Sequence, residues 1–367
     1  MRLLFCATDP GGSACLAPVV KLALKNHDIV VLASEITKRL FHQGGIDSEI
    51  IDCETVDEAA ELLKRLQPDA AILGTAAPER AESKLTIAAR NLGIWTVAVL
   101  DEWYRYQIRF GQEDGTMTHV PDVICMQDDL AVTEAIAEGV PASAIRITGS
   151  PSLAIYADTA ENLLLQAVPS ILTDDGQSIR LLFISERIAK GHGRSPGESG
   201  FIGPYCGFTE ETVRNDIADA LGKIDVNVRV LEKLHPHESN IPPPPDNIQS
   251  NTTWQSITDE EPLGMILAHS DVVVGMQSVA LLEATLFGHR PISYQPGLIG
   301  IDTCTAARTG LAVAVRDFDC LRENLEIVIK SGQGTRVPIS LRPGFACPTA
   351  SERVLQAALE RADEVAE

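Results

Sequence analysis

The sequence predicts an α/β protein built from two parallel-sheet domains that face each other across a cleft. Apolar stretches of strand length alternate with amphipathic helical stretches along nearly all of the 367 residues, which is typical of a parallel sheet that helices cover on both faces. The alternation weakens once near the middle and then resumes. The chain is also long enough for two domains that each bury a core.

The predicted elements begin at the first residues. RLLFCAT (2–8) is an apolar strand, and a glycine turn and a helix follow it at 11–26. PDAAILGTA (68–76) and IWTVAVLDEW (94–103) are further strands, each preceded by a helical stretch. This alternation predicts βαβ units and a parallel sheet.

The second half repeats this arrangement. IRLLFIS (179–185), NVRVLEKL (227–234) and DVVVGM (271–276) are strands with helical or loop segments between them. The predicted boundaries are a first domain at 1–165, a linker at 166–178, a second domain at 179–349 and a C-terminal helix at 350–367.

Composition narrows the class of partner. Apolar residues make up 45% and charged residues 22% of the chain, as in a globular protein. The formal net charge of −21 predicts repulsion from nucleic acid and from anionic lipid surfaces. No stretch has the length of a membrane span, and the apolar run at the N-terminus is too short for a signal peptide. We therefore expect a cytoplasmic protein without a nucleic-acid partner.

The cysteines are spread singly along the chain. There is no CxxC pair and no Cys/His spacing of the kind that binds zinc, so we expect reduced thiols and no metal site. The eight cysteines are at positions 6, 15, 53, 125, 206, 304, 320 and 347.

A glycine turn follows the first predicted strand. Gly11, Gly12 and Ser13 lie where glycines let a ligand approach the backbone and where a helix start offers free N–H groups. The pattern is neither GxGxxG nor a Walker loop, so a tight structural turn is the alternative to a wall of the cleft. Asp9 would lie at the carboxyl end of the strand, where α/β sheets place their ligands.

Two carboxylates close the strand at 94–103. Asp101 and Glu102 would lie at the cleft, where a strand-end carboxylate can act as a general base. The alternative is a solvated loop with Trp103 and Tyr106 packed beneath it.

A long loop follows the strand at 179–185. The segment between Ser185 and Glu210 is longer than the usual βα loop, and such loops tend to be functional or disordered. It carries Arg187 and other cations among glycines in an acidic chain, which suits phosphate or another anion at a strand end. A mobile surface insertion is the alternative.

A histidine ends the strand at 227–234. His235 follows it directly, and Pro236 fixes the turn behind it. An imidazole at this position can hydrogen-bond a phosphate or a ribose. A lone histidine is usually structural, but here other polar residues stand at the ends of neighbouring strands, which favours a function.

The segment SDVVVGMQSVALLEATLFGHRPISY (270–294) reads as strand, turn, helix and strand. Gly275, Gln277 and Ser278 form the turn, and the helix is predicted to start near Ser278. A hydroxyl and free N–H groups there suit a phosphate, although Ser278 would serve equally as a simple N-cap. Glu283 lies on an otherwise apolar helix and needs a partner if it is buried: ribose hydroxyls, an arginine or a backbone amide.

These segments resemble those of known enzymes. KLHPHE (233–238) is similar to the His-Pro motif of bacterial sialyl- and Kdo-transferases and of glycerophosphate-polymerising enzymes, and it also resembles non-hydrolysing UDP-N-acetylglucosamine 2-epimerases. The segment 270–294 is similar to the donor-binding strand, turn and helix of these enzymes and of lipid A disaccharide synthase. The resemblance covers roughly 180–320 and implies the GT-B fold, two Rossmann-like domains of which the second holds a nucleotide sugar.

The resemblance also implies roles for individual residues. His235 and Ser278 would contact the donor phosphate, and Glu283 would bind the ribose. The full set of predicted donor-binding residues is Ser185, Arg187, His235, Gly275, Gln277, Ser278 and Glu283.

The leading hypothesis is a metal-independent glycosyltransferase of bacterial glycan or glycoconjugate synthesis. Its substrates would be a UDP- or CMP/CDP-activated sugar and an acceptor hydroxyl, without a further cofactor. The helix at Ser278, with His235 and Arg187, would stabilise the departing phosphate. A first-domain carboxylate, Asp9, Asp101 or Glu102, would deprotonate the acceptor.

Two alternatives stay open. A non-hydrolysing UDP-sugar 2-epimerase would use the same nucleotide site without an acceptor. A non-catalytic nucleotide-sugar-binding protein would use it without any reaction. The donor base, the sugar, the acceptor, the stereochemical outcome and the oligomeric state, a homodimer included, are left undecided by the sequence.

Overall fold

The computed structural model divides into two compact units, which are described one at a time. Unit 1 comprises Met1–Asp158 and Pro343–Glu367, and unit 2 comprises Thr159–Arg342. The residues whose structure is described are 1–76, 81–111, 114–173, 178–238, 240–258, 261–330 and 344–364, with the backbone alone at 361–364.

Within its described residues, unit 1 contains one sheet of seven parallel strands in the order β3-β2-β1-β4-β5-β6-β7. The strands are β1 (Arg2–Ala7), β2 (Asp28–Ala33), β3 (Glu49–Ile50), β4 (Ala70–Leu73), β5 (Trp95–Val99), β6 (Val123–Met126) and β7 (Ile145–Ile147). The helices that begin in this unit are α1 (Pro10–Ala23), α2 (Glu35–Gln43), α3 (Val56–Leu66), α4 (Ala81–Asn91), α5 (Tyr106–Phe110), α6 (Asp129–Ala137), α7 (Pro151–Leu164) and α14 (Ala350–Glu364).

The described part of unit 2 contains one sheet of six parallel strands in the order β10-β9-β8-β11-β12-β13. The strands are β8 (Ile179–Ile184), β9 (Val228–Lys233), β10 (Thr252–Ile257), β11 (Val272–Gly275), β12 (Ile292–Tyr294) and β13 (Val313–Val315). The helices are α8 (Ile188–His192), α9 (Glu210–Leu221), α10 (Leu263–His269), α11 (Ala280–Leu286), α12 (Thr305–Arg308) and α13 (Phe318–Lys330).

Both sheets reverse their strand order beside the first strand of the unit. β1 lies between β2 and β4, and β8 lies between β9 and β11. This is the Rossmann-like order, and ligands of such sheets bind outside the carboxyl ends of the strands that flank the reversal. The predicted fold class, two Rossmann-like parallel-sheet domains, is confirmed.

The units divide the chain earlier than the predicted linker at 166–178. Unit 2 begins at Thr159, inside α7. The helix continues to Leu164 without a break, and the predicted linker stays a prediction.

The C-terminal helix α14 belongs to unit 1. Its buried face shares one apolar core with strands of the unit 1 sheet. The indole N–H of Trp95 donates to the carbonyl of Ala357 at 2.9 Å, and the rings of Trp103 and Phe345 pack edge to face at 5.6 Å. Burial of the apolar face of this amphipathic helix stabilises its packing in unit 1, although α14 lies far along the chain from the other elements of the unit.

The described residues contain no membrane-length apolar helix and no disulfide. Among them, no helix is both long and apolar enough to cross a bilayer. All eight cysteines fall within the described ranges and are free thiols, six of them buried.

A buried ion pair stabilises the middle of unit 2. Glu232 of β9 is fully buried, and its Oε1 lies 2.8 Å from Nε of Arg214 on α9. Its Oε2 accepts the Trp254 indole N–H at 2.9 Å and the Ser256 hydroxyl at 2.6 Å. The carboxylate thereby joins β9, β10 and α9 just before the chain reaches His235, since a buried charge needs both a counter-charge and hydrogen bonds.

Replacing Arg214 tests this pair. Arg214→Met should cost about 3–5 kcal/mol of unfolding free energy, because it leaves the Glu232 charge buried without a cation. Urea unfolding midpoints of the variant and of the parent chain measure the loss.

Arg322→Met is the control, because Arg322 makes long, solvent-exposed ion pairs on α13. It should cost less than about 0.5 kcal/mol. Equal losses in the two variants would contradict a stabilising role for the buried pair.

Candidate functional site

The strand-order reversals place two groups of polar residues at carboxyl ends of strands, one group in each unit. In unit 1 the residues that follow β1, β4 and β5 meet. In unit 2 the residues that follow β8, β9 and β11 stand at the same edge of their sheet. Most of the residues predicted from the sequence belong to one of these two groups.

Asp9 is the N-cap of α1 in unit 1. Its Oδ1 accepts the N–H of Gly12 at 2.9 Å. Its Oδ2 is buried and has no hydrogen-bond partner among the described residues. One carboxylate oxygen therefore shapes the turn, while the other remains an acceptor for a group from outside the unit.

The glycines of this turn are required by close packing. A Cβ built on Gly11 would lie 2.0 Å from Oδ2 of Asp101, and one built on Gly12 would lie 3.4 Å from Cα of Gly74. Ser13 is buried and donates to the carbonyl of Pro10 at 2.8 Å, so its hydroxyl serves the turn. Gly11 and Gly12 thus bring the β1–α1 turn against the ends of β5 and β4.

Asp101 and Glu102 share one buried arginine, which the sequence analysis did not identify. Nη1 of Arg109 lies 2.9 Å from Oδ1 of Asp101, and Nη2 lies 3.0 Å from Oε2 of Glu102. The same Nη1 also donates to the carbonyl and the hydroxyl of Thr75, after β4, at 2.5 and 2.8 Å. Arg109 thus ties the end of β5 to the end of β4.

Burial dominates the electrostatics of Asp101. It raises the pKa of Asp101, the Arg109 guanidinium opposes the rise, and Asp9 and Glu102 add to it. When two buried carboxylates share one cation, ionisation of both is unfavourable, because the surroundings have a low dielectric constant.

The segment around these acids is folded. Trp103 and Tyr106 are fully buried, as the structural alternative required. The Trp103 indole donates to the Asp128 carboxylate at 2.9 Å, and the Tyr106 hydroxyl donates to Glu134 at 3.2 Å. The aromatic side chains therefore fix the backbone on which Asp101 and Glu102 stand.

Glu82 is a second residue that the sequence analysis missed. It lies on α4, is 4% exposed, and accepts the backbone N–H of Thr8 at 2.6 Å and its hydroxyl at 2.8 Å. Burial, and to a lesser extent the nearby Asp9, raises the pKa of Glu82 to about 7. Glu82 holds the residue that directly precedes Asp9.

In unit 2 the long segment after β8 is folded, which argues against a mobile insertion. It contains α8 and an isolated bridge between Ser199 and Pro204. The N–H of Ile299 donates to the carbonyl of Cys206 at 2.7 Å, and a Cβ on Gly207 would lie 2.1 Å from the carbonyl oxygen of Gly297. The segment is thereby fastened to the loop after β12.

His235 follows β9 closely, as predicted. Its backbone N–H donates to Glu238 at 3.0 Å, its Nδ1 accepts the N–H of His237 at 3.1 Å, and the two imidazole rings stack at 5.2 Å. Because Nδ1 is an acceptor, a neutral His235 carries its hydrogen on Nε2. The turn has therefore selected one tautomer.

The turn after β11 differs from the prediction at its helix start. α11 begins at Ala280, and Ser278 lies outside it, with its hydroxyl oxygen accepting the N–H of Ala280 at 3.2 Å. The N–H of Gln277 is already bound, to Oε2 of Glu186 at 2.8 Å. The N–H groups of Ser278 and Val279 have no acceptor among the described residues. Part of the predicted amide-rich turn is thus filled by the protein itself.

Glu283 on α11 has a carboxylate oxygen that lacks a hydrogen-bond donor among the described residues. The residue is partly exposed, but its Oε2 is buried and has no hydrogen-bond partner among the described residues. Burial raises the pKa of Glu283 to about 7. A buried carboxylate oxygen without a donor carries a desolvation cost that a bound hydroxyl would remove.

The remaining predicted donor-site residues are Gly275, Ser185 and Arg187. Gly275 packs closely, since a Cβ there would lie 3.0 Å from Cδ2 of Leu281. Ser185 is buried directly after β8. Arg187 opposes the rise in the pKa of Glu238, which burial causes first and the bond from the His235 N–H also opposes.

Comparison with known proteins finds similarity in structure alone. No family model matches the chain, and no curated protein matches it. The UDP-GlcNAc 2-epimerase from Neisseria meningitidis bound to UDP-GlcNAc is 13% identical and has a TM-score of 0.66 over 98% of this chain and 100% of that chain. The S. aureus MnaA–UDP structure is 11% identical with a TM-score of 0.69, over 100% and 98%.

A third similar structure is Anabaena Alr3699/HepE in complex with UDP. It is 13% identical to this chain, with a TM-score of 0.55 over 100% of both chains. Likeness at such low identity shows the fold. The chain has the GT-B fold of two Rossmann-like domains, as its resemblance to the GT-B enzymes predicted.

Gly11→Ala tests the packing of the unit 1 group. The added Cβ would overlap Oδ2 of Asp101, so Asp101 must move and its ion pair with Arg109 must open. We expect a loss of about 1–3 kcal/mol in unfolding free energy, measured from thermal unfolding.

Gly344→Ala is the matched control, because a Cβ there meets nothing within 4 Å. The cost of Gly11→Ala should also shrink in an Asp101→Ala background, since the two residues are in contact. An undiminished cost in that background would contradict the overlap.

Proposed function

We propose that this chain is an enzyme that acts on a nucleotide-activated sugar and transfers the sugar to an acceptor hydroxyl. The observation that carries the proposal is Glu283, whose buried Oε2 has no donor among the described residues. It lies on the helix after β11, the strand beside the order reversal of unit 2. An ionised carboxylate there is a suitable acceptor for the two hydroxyls of a ribose.

The phosphate of the donor would bind at the turn that precedes this helix. The N–H groups of Ser278 and Val279 remain available there. His235 follows β9, and its Nδ1 accepts the N–H of His237, so a neutral ring carries its hydrogen on Nε2. Such donors stabilise a phosphate that gains charge as it leaves, without a metal ion. Among the described residues, no group of His, Cys, Asp or Glu is arranged to hold one.

Among the three candidate bases, the contacts in unit 1 favour Asp9. Asp101 and Glu102 each direct a carboxylate oxygen to Arg109. Oδ2 of Asp9 has no partner among the described residues. Asp9 is also held by Glu82 through Thr8, so its position is fixed.

In the proposed reaction the sugar moves from the nucleotide to the acceptor hydroxyl. The acceptor hydroxyl gives its proton to Asp9, and its oxygen forms a bond to the anomeric carbon of the sugar. The bond between that carbon and the phosphate oxygen breaks, and its electron pair leaves with the nucleotide. The proton on Asp9 returns to solvent.

The comparisons support the substrate class. The structures from Neisseria meningitidis, S. aureus and Anabaena contain UDP-GlcNAc, UDP and UDP, respectively. They share the fold with this chain, and we infer a nucleotide sugar as its substrate by analogy.

Epimerisation of a UDP-sugar is the second candidate, and one observation favours it. The epimerase from Neisseria meningitidis has a TM-score of 0.66 with this chain, against 0.55 for Alr3699/HepE. An epimerase would remove the proton from C2 and eliminate the nucleotide from C1, then return the nucleotide to C1 and a proton to the opposite face of C2, so no acceptor is consumed.

Incubation with UDP-GlcNAc alone separates the reactions. An epimerase should produce the 2-epimer without an acceptor, as read by proton NMR. A transferase should release nucleotide from UDP- or CMP-sugars only when oligosaccharide acceptors are added. Binding without either product would leave the non-catalytic alternative.

Asp9→Asn tests the assigned base. Turnover should fall by about 10²–10⁴-fold, because the amide cannot accept the proton, while nucleotide affinity measured by calorimetry should not change. Asp52→Asn is the control, because it removes one equal charge from an exposed position. If Asp9→Asn retains its turnover, another group must act as the base.

Glu283→Gln tests ribose binding through pH. Because the ionised carboxylate accepts the hydroxyls and its pKa is raised to about 7, its contribution should be small at pH 6 and full at pH 8. The ratio of the nucleotide Kd of the variant to that of the parent should rise from near unity to about tenfold or more. The ratio cancels the titration of His235 and of the phosphate, and a ratio that stays constant with pH would remove Glu283 from the site.

A further inference from the structure

A surface groove at the edge of the unit 1 sheet has no part in the proposed reaction. It has a volume of about 710 Å³ and is lined by β3, the two residues that follow it, the helix α3 and Leu32 of β2. β3 is the last strand on its side of the seven-stranded sheet. The groove therefore lies beside a strand whose outer side pairs with no other described strand.

Part of the lining is apolar. Leu32, Ile50, Ile51 and Leu62 contribute this part. Ile50 is 40% exposed, and Ile51 and Leu62 are partly exposed although both pack against the buried core beneath α3. Burial of apolar surface in a complex is favourable in proportion to its area, so these side chains can still contribute to the binding of another molecule.

The rest of the lining is acidic, apart from Arg65. The carboxylates belong to Glu49, Asp52, Asp57, Glu58 and Glu61, which are all exposed. Two of them have partners, since Glu61 pairs with Lys64 at 2.7 Å and Glu58 accepts the backbone N–H groups of Glu54 and Thr55. The other three make no ion pair with a described residue. We call this lined surface the acidic groove.

Charge and hydrogen bonding indicate the kind of partner that the acidic groove suits. The three carboxylates without an ion pair attract Lys and Arg side chains and repel acidic ones. The N–H of Asp52, directly after β3, has no acceptor among the described residues. An edge strand can pair with an extended segment of another chain, whose side chains then alternate between two faces. The groove therefore fits an extended segment in which apolar and basic side chains alternate.

A second copy of this chain does not suit the groove. Pairing of two β3 edges would bring two sets of the same carboxylates together, and like charges opposite each other are destabilising. The net charge of −21 adds a general repulsion between copies. Charged side chains on an edge strand are a known protection against self-association, so the acidic groove selects for an unlike partner.

We propose that the acidic groove is a docking site for a partner protein, which inserts an extended segment of alternating apolar and Lys or Arg residues. The apolar side chains of the segment bury against Ile50 and Leu62. Its cations pair with Glu49, Asp52 and Asp57, and its backbone adds to the outer side of β3. This docking is independent of the chemistry proposed at Asp9 and Glu283.

The charge test compares two triple variants that each replace one glutamate and two aspartates by amides. The groove variant carries Glu49→Gln, Asp52→Asn and Asp57→Asn. The control variant carries Glu211→Gln, Asp225→Asn and Asp246→Asn, at exposed positions outside the groove. Both variants have the same net charge, so a general attraction of cations to the chain is equal in the two.

The apolar surface is tested by Ile50→Thr. Threonine keeps a β-branched residue in β3 and removes apolar surface from the groove. Thermal unfolding of each variant confirms that the chain is folded before binding is measured.

The probe is a fluorescein-labelled synthetic peptide of about eight residues, a usual strand length, in which leucine and lysine alternate. Fluorescence anisotropy at about 0.15 M salt measures its Kd under conditions that screen charges at long range. A peptide that alternates leucine with glutamate and one that alternates serine with lysine are the control ligands.

The leucine–lysine peptide should bind the parent chain more tightly than either control peptide does. The groove variant should bind it about tenfold more weakly than the control variant, because three ion pairs at the surface are lost. Ile50→Thr should weaken binding by about fivefold through the loss of apolar burial. Hydrogen exchange of the backbone at 49–52 should become slower in the complex, since N–H groups there become bonded.

Three results would overturn the proposal. Absence of binding of the leucine–lysine peptide to the parent chain is the first. Equal Kd values for the groove variant and the control variant are the second, since they would show attraction to the net charge alone. The third is a dimer of the parent chain, measured by light scattering, that the groove variant dissociates or strengthens, which would assign the groove to a second copy.

Discussion

The reversal of strand order in each parallel sheet is the constraint on which the candidate sites depend. The order reverses between β1 and β4 and between β8 and β11, and ligands of parallel sheets bind outside the carboxyl ends of strands at such a reversal. The chain leaves β1 and β11 through short turns that carry polar side chains. Asp9 follows β1, and Ser278 follows β11. The fold therefore sets where a ligand can bind, and the side chains at these strand ends set which chemistry is possible.

Crowded carboxylates then set the electrical character of both groups. In unit 1 Asp101 and Glu102 share Arg109, and the nearby Asp9 adds to the raised pKa values of Asp101 and Glu82. Burial of several carboxylates around one guanidinium raises the cost of full ionisation.

In unit 2 two carboxylates differ in how far their oxygens are hydrogen-bonded. Glu283 is a buried acceptor in need of hydroxyl donors, and Glu186 is an acceptor that already has one. A bound hydroxyl would supply the donor that Glu283 lacks. A chain with a net charge of −21 can still hold an anionic substrate if backbone N–H groups supply local positive potential.

Periodicity and residue type along the chain were sufficient for the alternating strands and helices, the two Rossmann-like domains and the position of Asp9, His235 and Ser278 at strand ends. These are local properties, since an apolar strand followed by a glycine turn is written in adjacent residues. The start of α11 at Ala280, the return of α14 to unit 1, and the partners Arg109, Glu82 and Glu186 were decided by tertiary structure alone. Arg109 pairs with acids seven and eight positions away and with Thr75, and no periodicity along a chain encodes which distant groups will share a buried charge.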